Sequence, residues 1–187
     1  MNSLKNVWSM YERQLATAPA LTKMLVAGPM FAFTDSIVQK IEGAEALDLR
    51  RTGTHMLFGC YYGVVHAHMI WGALERAFSA LRFPSPLVGA FSRVIVDQFI
   101  TGTPLFNSVF FYSSGRLAKG YNHEQAIDHV QLRLYPMLLN HWAFWIPFHT
   151  LNFWLVPFRH RVLPAQAALF FWSGFMSYVG AKKEAFS

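Results

Sequence analysis

The chain has 187 residues, enough for one ordinary domain and too few to assume two. Hydrophobic residues make up 53% and charged residues 14%, against about 25% charged in a soluble domain, so there is too little charge to cover a globule in water and the membrane is the leading class. The formal net charge of +6 does not suggest nucleic acid, because the aromatics lie inside apolar runs rather than on an exposed basic stripe.

In chain order, Leu4, Val7, Trp8, Tyr11 and Leu15 recur at helical spacing with Lys5, Glu12 and Arg13 elsewhere. Residues 1–16 therefore read as an amphipathic helix lying in the membrane interface. No compact apolar core follows a basic start, so this segment is expected to be retained rather than cleaved. Membrane-embedded helices are expected near residues 17–38, 53–79, 86–113, 131–157 and 162–181. The uncharged runs Thr52–Leu74, Leu134–Phe158 and Val162–Ala181 each reach the roughly 20 residues that cross a hydrocarbon core. The other two spans are weaker: Lys23 and Asp35 break the first, Arg93 and Asp97 the third. Residues 42–51 hold the densest charge, 82–86 (RFPSP) read as a turn, and 119–129 form the most polar connection. The fold class is all-α, a multi-pass membrane bundle of four to five embedded helices in a single unit, 1–187. Cys60 is alone in an apolar run, which excludes an intrachain disulfide. Lys and Arg occur in nearly every connection, so charge asymmetry fixes no orientation.

Ionisable groups at membrane depth must face protein or water. Asp35 and Gln39 are four apart and share a helix face; Arg93 and Asp97 have the same spacing, could neutralise each other, and have the amide of Gln98 beside them. These five residues are expected to point inward, either as the polar lining of a solute path or as an interhelical hydrogen-bond network. The histidines are read as structural rather than metal-binding. His66 and His68 would point to opposite sides of a helix, and His141 and His149 are two turns apart with no acid or Cys at ligand spacing. Phosphate-cradling loops, GxSxG, HExxH and paired CxxC elements are absent, so neither an enzyme nor a cofactor is expected.

Residues 140–161 carry Trp142, Phe144, Trp145, Phe148, Phe153 and Trp154, a broad aromatic surface suited to packing or to the lipid interface. Pro147 is expected to interrupt the helix, with His149 and Asn152 satisfying the groups it frees, and Pro157 to close the span before Arg159 and Arg161 reach the headgroups. The run Trp145, His149, Asn152, Phe153, Val156, Pro157 and Arg161 resembles the signature of the Mpv-seventeen and twenty-two-kilodalton peroxisomal membrane protein family. Trp8, Tyr11, Leu15 and Pro19 resemble its N-terminal pattern; Gly28, Asp35 and Gln39 follow in register; Arg93, Asp97, Gln98 and Pro104 match its basic residue, Asp-Gln and proline; and Trp172, Ser177 and Tyr178 resemble its close. Val64 and Val65 stand where that family has Gly-Pro, His149 where it has Gln, and Thr34 where it has Gly before the Asp. The resemblance implies a small integral protein of the mitochondrial inner membrane, with the peroxisomal membrane as the alternative. It also implies a channel-like or carrier-like path for small solutes that supports mitochondrial homeostasis. The departures, with the aromatic surfaces, motivate a second expectation of another class: a non-catalytic accessory subunit of a large inner-membrane assembly such as a respiratory complex or ATP synthase. The partners expected are membrane lipids and either further copies of the chain or such a complex, with no nucleic acid.

Overall fold

Helix is the only regular structure among the described residues of the computed structural model, which gives the backbone of residues 2–185 and side chains for residues 4–174. The matches at Ser177 and Tyr178 lie outside the described side chains. Helix α1 (Asn2–Thr17) leads into α2 (Pro19–Ile41). A first long rod joins α3 (Leu49–Tyr61), a π-helical stretch (Tyr62–Ile70) and α4 (Trp71–Ser79). A second joins α5 (Pro86–Val96), a π turn (Asp97–Thr101), α6 (Thr103–Ser113) and another π turn (Ser114–Ala118). Helix α7 (His123–Leu155), a 3-10 turn (Phe158–His160) and α8 (Val162–Ala185) follow.

Local chemistry sets the helix starts. The side chain of Asp48 accepts the Arg51 N–H at 2.9 Å to cap α3, and Ser85 caps α5 with Pro86 at its first position. Asn122 and Gln125 exchange side-chain and backbone bonds of 2.9 Å in a capping box that starts α7. That box turns the second half of the polar stretch 119–129 into helix instead of connection. Gly43 and Gly120 adopt φ of 83° and 72° in the turns that follow α2 and the second rod, a conformation that favours glycine.

The second rod bends by 43° at Gly102, where Pro104 lacks the N–H that would continue the ladder. Pro147 behaves otherwise. Helix α7 runs unbroken through both Pro136 and Pro147, and the two residues expected to repair a break are used elsewhere: Asn152 donates to the Arg161 carbonyl at 3.0 Å, and His149 stacks on Trp145 at 5.0 Å. Each proline removes one donor, and in a 33-residue helix the bonds on either side of each hold it.

Helix α2 packs along α3 and the adjoining π stretch at backbone contact. A Cβ on Gly59 would stand 2.7 Å from the Ala27 carbonyl oxygen, one on Gly63 2.6 Å from that of Lys23, and one on Gly28 2.6 Å from the Cys60 sulfur. Gly59 and Gly63 form a GxxxG pair, the spacing that lets two helix backbones approach. On α2's other side lies α8, while α7 packs against α5 and α6. The shared core contains Phe31, Phe58, Tyr62, Trp71, Val94, Phe153 and Val162, and a satellite joins Trp145, Ala168 and Trp172. Much of the aromatic surface expected on residues 140–161 is therefore internal: Trp145 and Phe153 are buried, and Trp154 remains 45% exposed.

Leu25, Phe33, Ile100, Leu132, Leu139 and Phe171 face outward, an apolar exterior suited to lipid. By length and composition α2 suffices to cross a membrane, as does the second rod taken as one bent span. Helix α7 has the length, and its His, Asn and Trp residues lower its hydropathy.

Substituting Gly63 by alanine is expected to destabilise the protein by about 1–3 kcal/mol, the usual penalty for overpacking. Gly53→Ala, inside α3 where a Cβ meets nothing within 4 Å, keeps or slightly raises the melting temperature in mild detergent, as alanine for glycine does in a helix.

Candidate functional site

The five inward polar residues expected from sequence fall into three separate places. Asp35 and Gln39 belong to the α2–α3 junction. Asp35 Oδ2 accepts from Gln39 Nε2 at 2.7 Å and from Thr52 Oγ1 at 2.8 Å, while its Oδ1 accepts from Arg51 Nε at 2.8 Å. Gln39 Oε1 accepts the Asp48 N–H at 2.7 Å, and Arg51 donates to Glu42 at 2.7 Å. Burial works against the charged Arg51 guanidinium, yet Glu42 and Asp35 outweigh it and raise its pKa. Every polar atom of this pair is committed to tying the hairpin between α2 and α3.

Arg93 and Asp97 do not neutralise each other. Arg93 Nε lies 3.8 Å from Glu75 on α4, whereas Asp97 Oδ1 lies 3.4 Å from His66 Nε2. An Arg that precedes its acid by four residues is in the weaker order, since helical side chains lean toward the N-terminus and carry the long Arg away. Glu75 also accepts from Arg161 at 2.7 Å. Arg161 further donates to the carbonyls of Phe153 at 3.0 Å and Val156 at 3.1 Å, closing the C-terminus of α7, and its guanidinium lies 4.5 Å from the Phe153 ring centre. Burial lowers its pKa and Glu75 opposes that, while an arginine stays charged throughout. Asn152, Phe153, Val156 and Arg161 of the signature thus form one closure, with Asn152 holding the Arg161 carbonyl.

The third place is the centre of the bundle. The π stretch of the first rod presents His66, and the π turn of the second presents Asp97 and Gln98. Gln98 Nε2 donates to Asp97 Oδ2 at 3.2 Å, Thr103 donates to Gln98 Oε1 at 2.6 Å, and the Trp142 indole donates to the Gln98 carbonyl at 3.2 Å. Gly102 is essential to this approach: its Cβ would fall 2.6 Å from the Asp97 carbonyl and 2.9 Å from the His66 ring. Tyr62 stacks on His66 at 5.3 Å, and Trp71 meets the rings of His66 and His149 edge-on.

A cavity of about 40 Å³ lies here, lined in part by His66, Gln98, His141, Trp145, His149 and Gln166. That is room for roughly three water molecules, at about one per probe sphere. His141 Nδ1, Trp145 Nε1, His149 Nδ1 and Gln166 Oε1 belong to its lining residues and are buried without a hydrogen bond from the protein. Each such group is worth about 1–3 kcal/mol when satisfied, so the cavity is chemically prepared for water or a small polar solute. Among the described residues no three of His, Cys, Asp and Glu converge closely enough to hold a metal ion. Sequence reasoning missed that His66, His141 and Gln166 line one cavity with Gln98, because they come from three different elements. The available signal was the presence of a polar residue in each otherwise uncharged run.

Replacing Arg161 with Gln leaves Glu75 with Arg93 and strips α7 of its closing donor. The expected loss is about 3 kcal/mol, typical of breaking a buried ion pair. It would be seen as a lowered melting temperature in detergent, with Arg161→Lys recovering part of the loss because one ammonium cannot reach all three acceptors.

Comparison with known proteins extends the signature to the whole chain. A profile of the Mpv17 / PMP22 family matches residues 116–177. The chain is 31% identical over 160 residues to Protein SYM1 of Mycosarcoma maydis, covering 84% of this chain and 77% of that one. It is 25% identical over 173 residues to the mitochondrial inner membrane protein Mpv17 of Caenorhabditis briggsae, covering 92% of each. The protein of the same name from Danio rerio is 22% identical over 182 residues, covering 96% of this chain and 99% of its own. No solved structure matches the chain. With the closure at Arg161 intact and the alignment running nearly end to end, the chain belongs to the Mpv17 / PMP22 family, a protein of the mitochondrial inner membrane.

Proposed function

We propose that this protein provides a channel-like path for small polar solutes across the inner membrane, without catalysis. In this reading α2, the two rods, α7 and α8 cross the bilayer, and α1 lies on its surface. The observation that carries it is the central cavity, lined by residues of α7 and α8 whose buried polar atoms His141 Nδ1, Trp145 Nε1, His149 Nδ1 and Gln166 Oε1 have no hydrogen bond from the protein. A purely structural network would pair these atoms with each other, as the Asp35–Gln39–Thr52 network does. At about 40 Å³ the cavity admits water and no larger solute, so this conformation is a closed one. The bend at Gly102 and the π turns beside it are where widening takes least rearrangement, since irregular backbone at membrane depth belongs where it lines a cavity.

A second reading, a structural subunit of a larger assembly, is favoured by the exposed stripe Leu132, Tyr135 and Leu139 on α7, which would suit a neighbouring helix as well as lipid. Migration of solubilised mitochondrial membranes on a native gel separates the two: a large complex supports the subunit, and a small species supports the path.

Conductance of purified protein in planar bilayers tests the path directly. Gln98→Leu combined with Gln166→Leu is expected to reduce unitary conductance several-fold, whereas Asp35→Asn lowers thermal stability and leaves conductance near wild type. Bilayers that stay silent with folded wild-type protein, or a double variant that conducts normally, would sink the assignment.

A further inference from the structure

The cations at the end of the bundle where α3 and α7 begin are not explained by a central path. There the first turns of both helices and the last turns of the second rod enclose a pocket of about 320 Å³, lined in part by Asp48, Arg51, Phe110, Lys119, His129 and Arg133. It shares no residue with the central cavity. Three permanent cations face this space against the single carboxylate of Asp48, and that carboxylate already accepts the Arg51 N–H as the cap of α3. Arg51 is itself satisfied by Asp35 and Glu42. Lys119 and Arg133 differ: no carboxylate among the described residues lies within 4.0 Å of either, and Lys119 has the Tyr121 ring at 5.7 Å. The guanidinium of Arg50 lies 3.6 Å from where a Cβ of Gly120, the residue after Lys119, would stand, and adds positive charge next to Lys119.

Like charges gathered around a hollow repel one another and favour an anion between them. Burial, then Lys119 and Arg133, hold the His129 imidazole below its usual range. Volume and lining narrow the ligand. A pocket of this size holds far more than a bare ion, and Phe110, Phe111 and Ala118 give it an apolar wall beside the cations.

We infer that this pocket binds a phosphate ester, with Lys119 and Arg133 receiving the phosphate and the Phe110–Phe111 wall covering the apolar part of its carrier. The carrier is either an anionic phospholipid of the surrounding bilayer or a soluble phosphate ester, and the phosphate chemistry is common to both. The inference does not rest on conduction through the central cavity.

The test is native mass spectrometry of the full chain in mild detergent, titrated with phosphatidylglycerol or phosphatidylcholine, with and without glycerol phosphate as soluble competitor. Phosphatidylglycerol is expected to bind preferentially, with affinity falling roughly thirtyfold in the K119Q/R133Q pair, the usual worth of two cations at a membrane surface. The charge-conserving K119R/R133K pair should retain binding, as should K5Q/R82Q, which removes the same charge elsewhere. Loss of bound lipid on adding glycerol phosphate identifies a site for soluble esters; persistence identifies the lipid phosphate. Equal affinity for the two lipids with no glycerol phosphate bound, or equal losses in K119Q/R133Q and K5Q/R82Q, would overturn the assignment.

Discussion

An ion inside an apolar surround must be met by a partner of opposite charge and by further hydrogen bonds, and the rest of this structure is arranged around that requirement. Glu75 shows it most clearly. Its carboxylate draws Arg93 from the second rod and Arg161 from the turn before α8, so two segments far apart in sequence converge on α4. Arg161 then uses its remaining donors on the last carbonyls of α7. The ion pair and the end of the longest helix are one construction, and the ring of Phe153 beneath the guanidinium seals it from below.

The same requirement explains why so much of the family signature is structural. Asn152 fixes the Arg161 carbonyl, Pro157 turns the chain, and Val156 and Phe153 offer the carbonyls that Arg161 closes. Trp145 and His149 belong elsewhere: they stack on each other along the wall of the central cavity, and Trp145 also packs near Trp172. One run of sequence therefore serves two places because a helix face changes its neighbour every few residues.

The sequence made the helical content plain, because the amphipathic spacing from Leu4 to Leu15 and the two prolines of residues 82–86 act locally. The Asn122–Gln125 capping box is equally local and was missed: α7 starts inside the stretch expected to be a connection. The sequence also marked Asp35, Gln39, Arg93, Asp97 and Gln98 as inward; Arg93 is half-buried and the other four are buried. Their partners were hidden. Which polar groups meet depends on how deeply helices approach and how they are rotated, and here glycines at 28, 59 and 63 set the approach while π turns set the rotation. Judged by spacing along one helix, the histidines looked unrelated; His66 and His149 come together through Trp71, whose ring touches both. Pro147 misled for a related reason, since the resistance of a long packed helix to one missing bond is a tertiary property.

The π stretch in the first rod sets a helical phase as well as a local shape. Each π turn closes its hydrogen-bonded ring with one residue more than an α turn, so it amounts to a single-residue insertion absorbed without a loop. Removing one residue from 62–70 as that turn relaxes to α-helix would keep the two parts of the rod in phase, whereas removing one with the π turn retained would rotate the part beyond it by about 100°. Gly59 and Gly63 now face α2 while Trp71 faces His149 and Phe153 on α7. These two orientations are kept together only while the residue count and the π turn change together. The distance in sequence between the glycine pair and Trp71 is therefore a gear setting between two halves of the bundle, and relatives that keep both contacts must keep that count or compensate for it within the same rod.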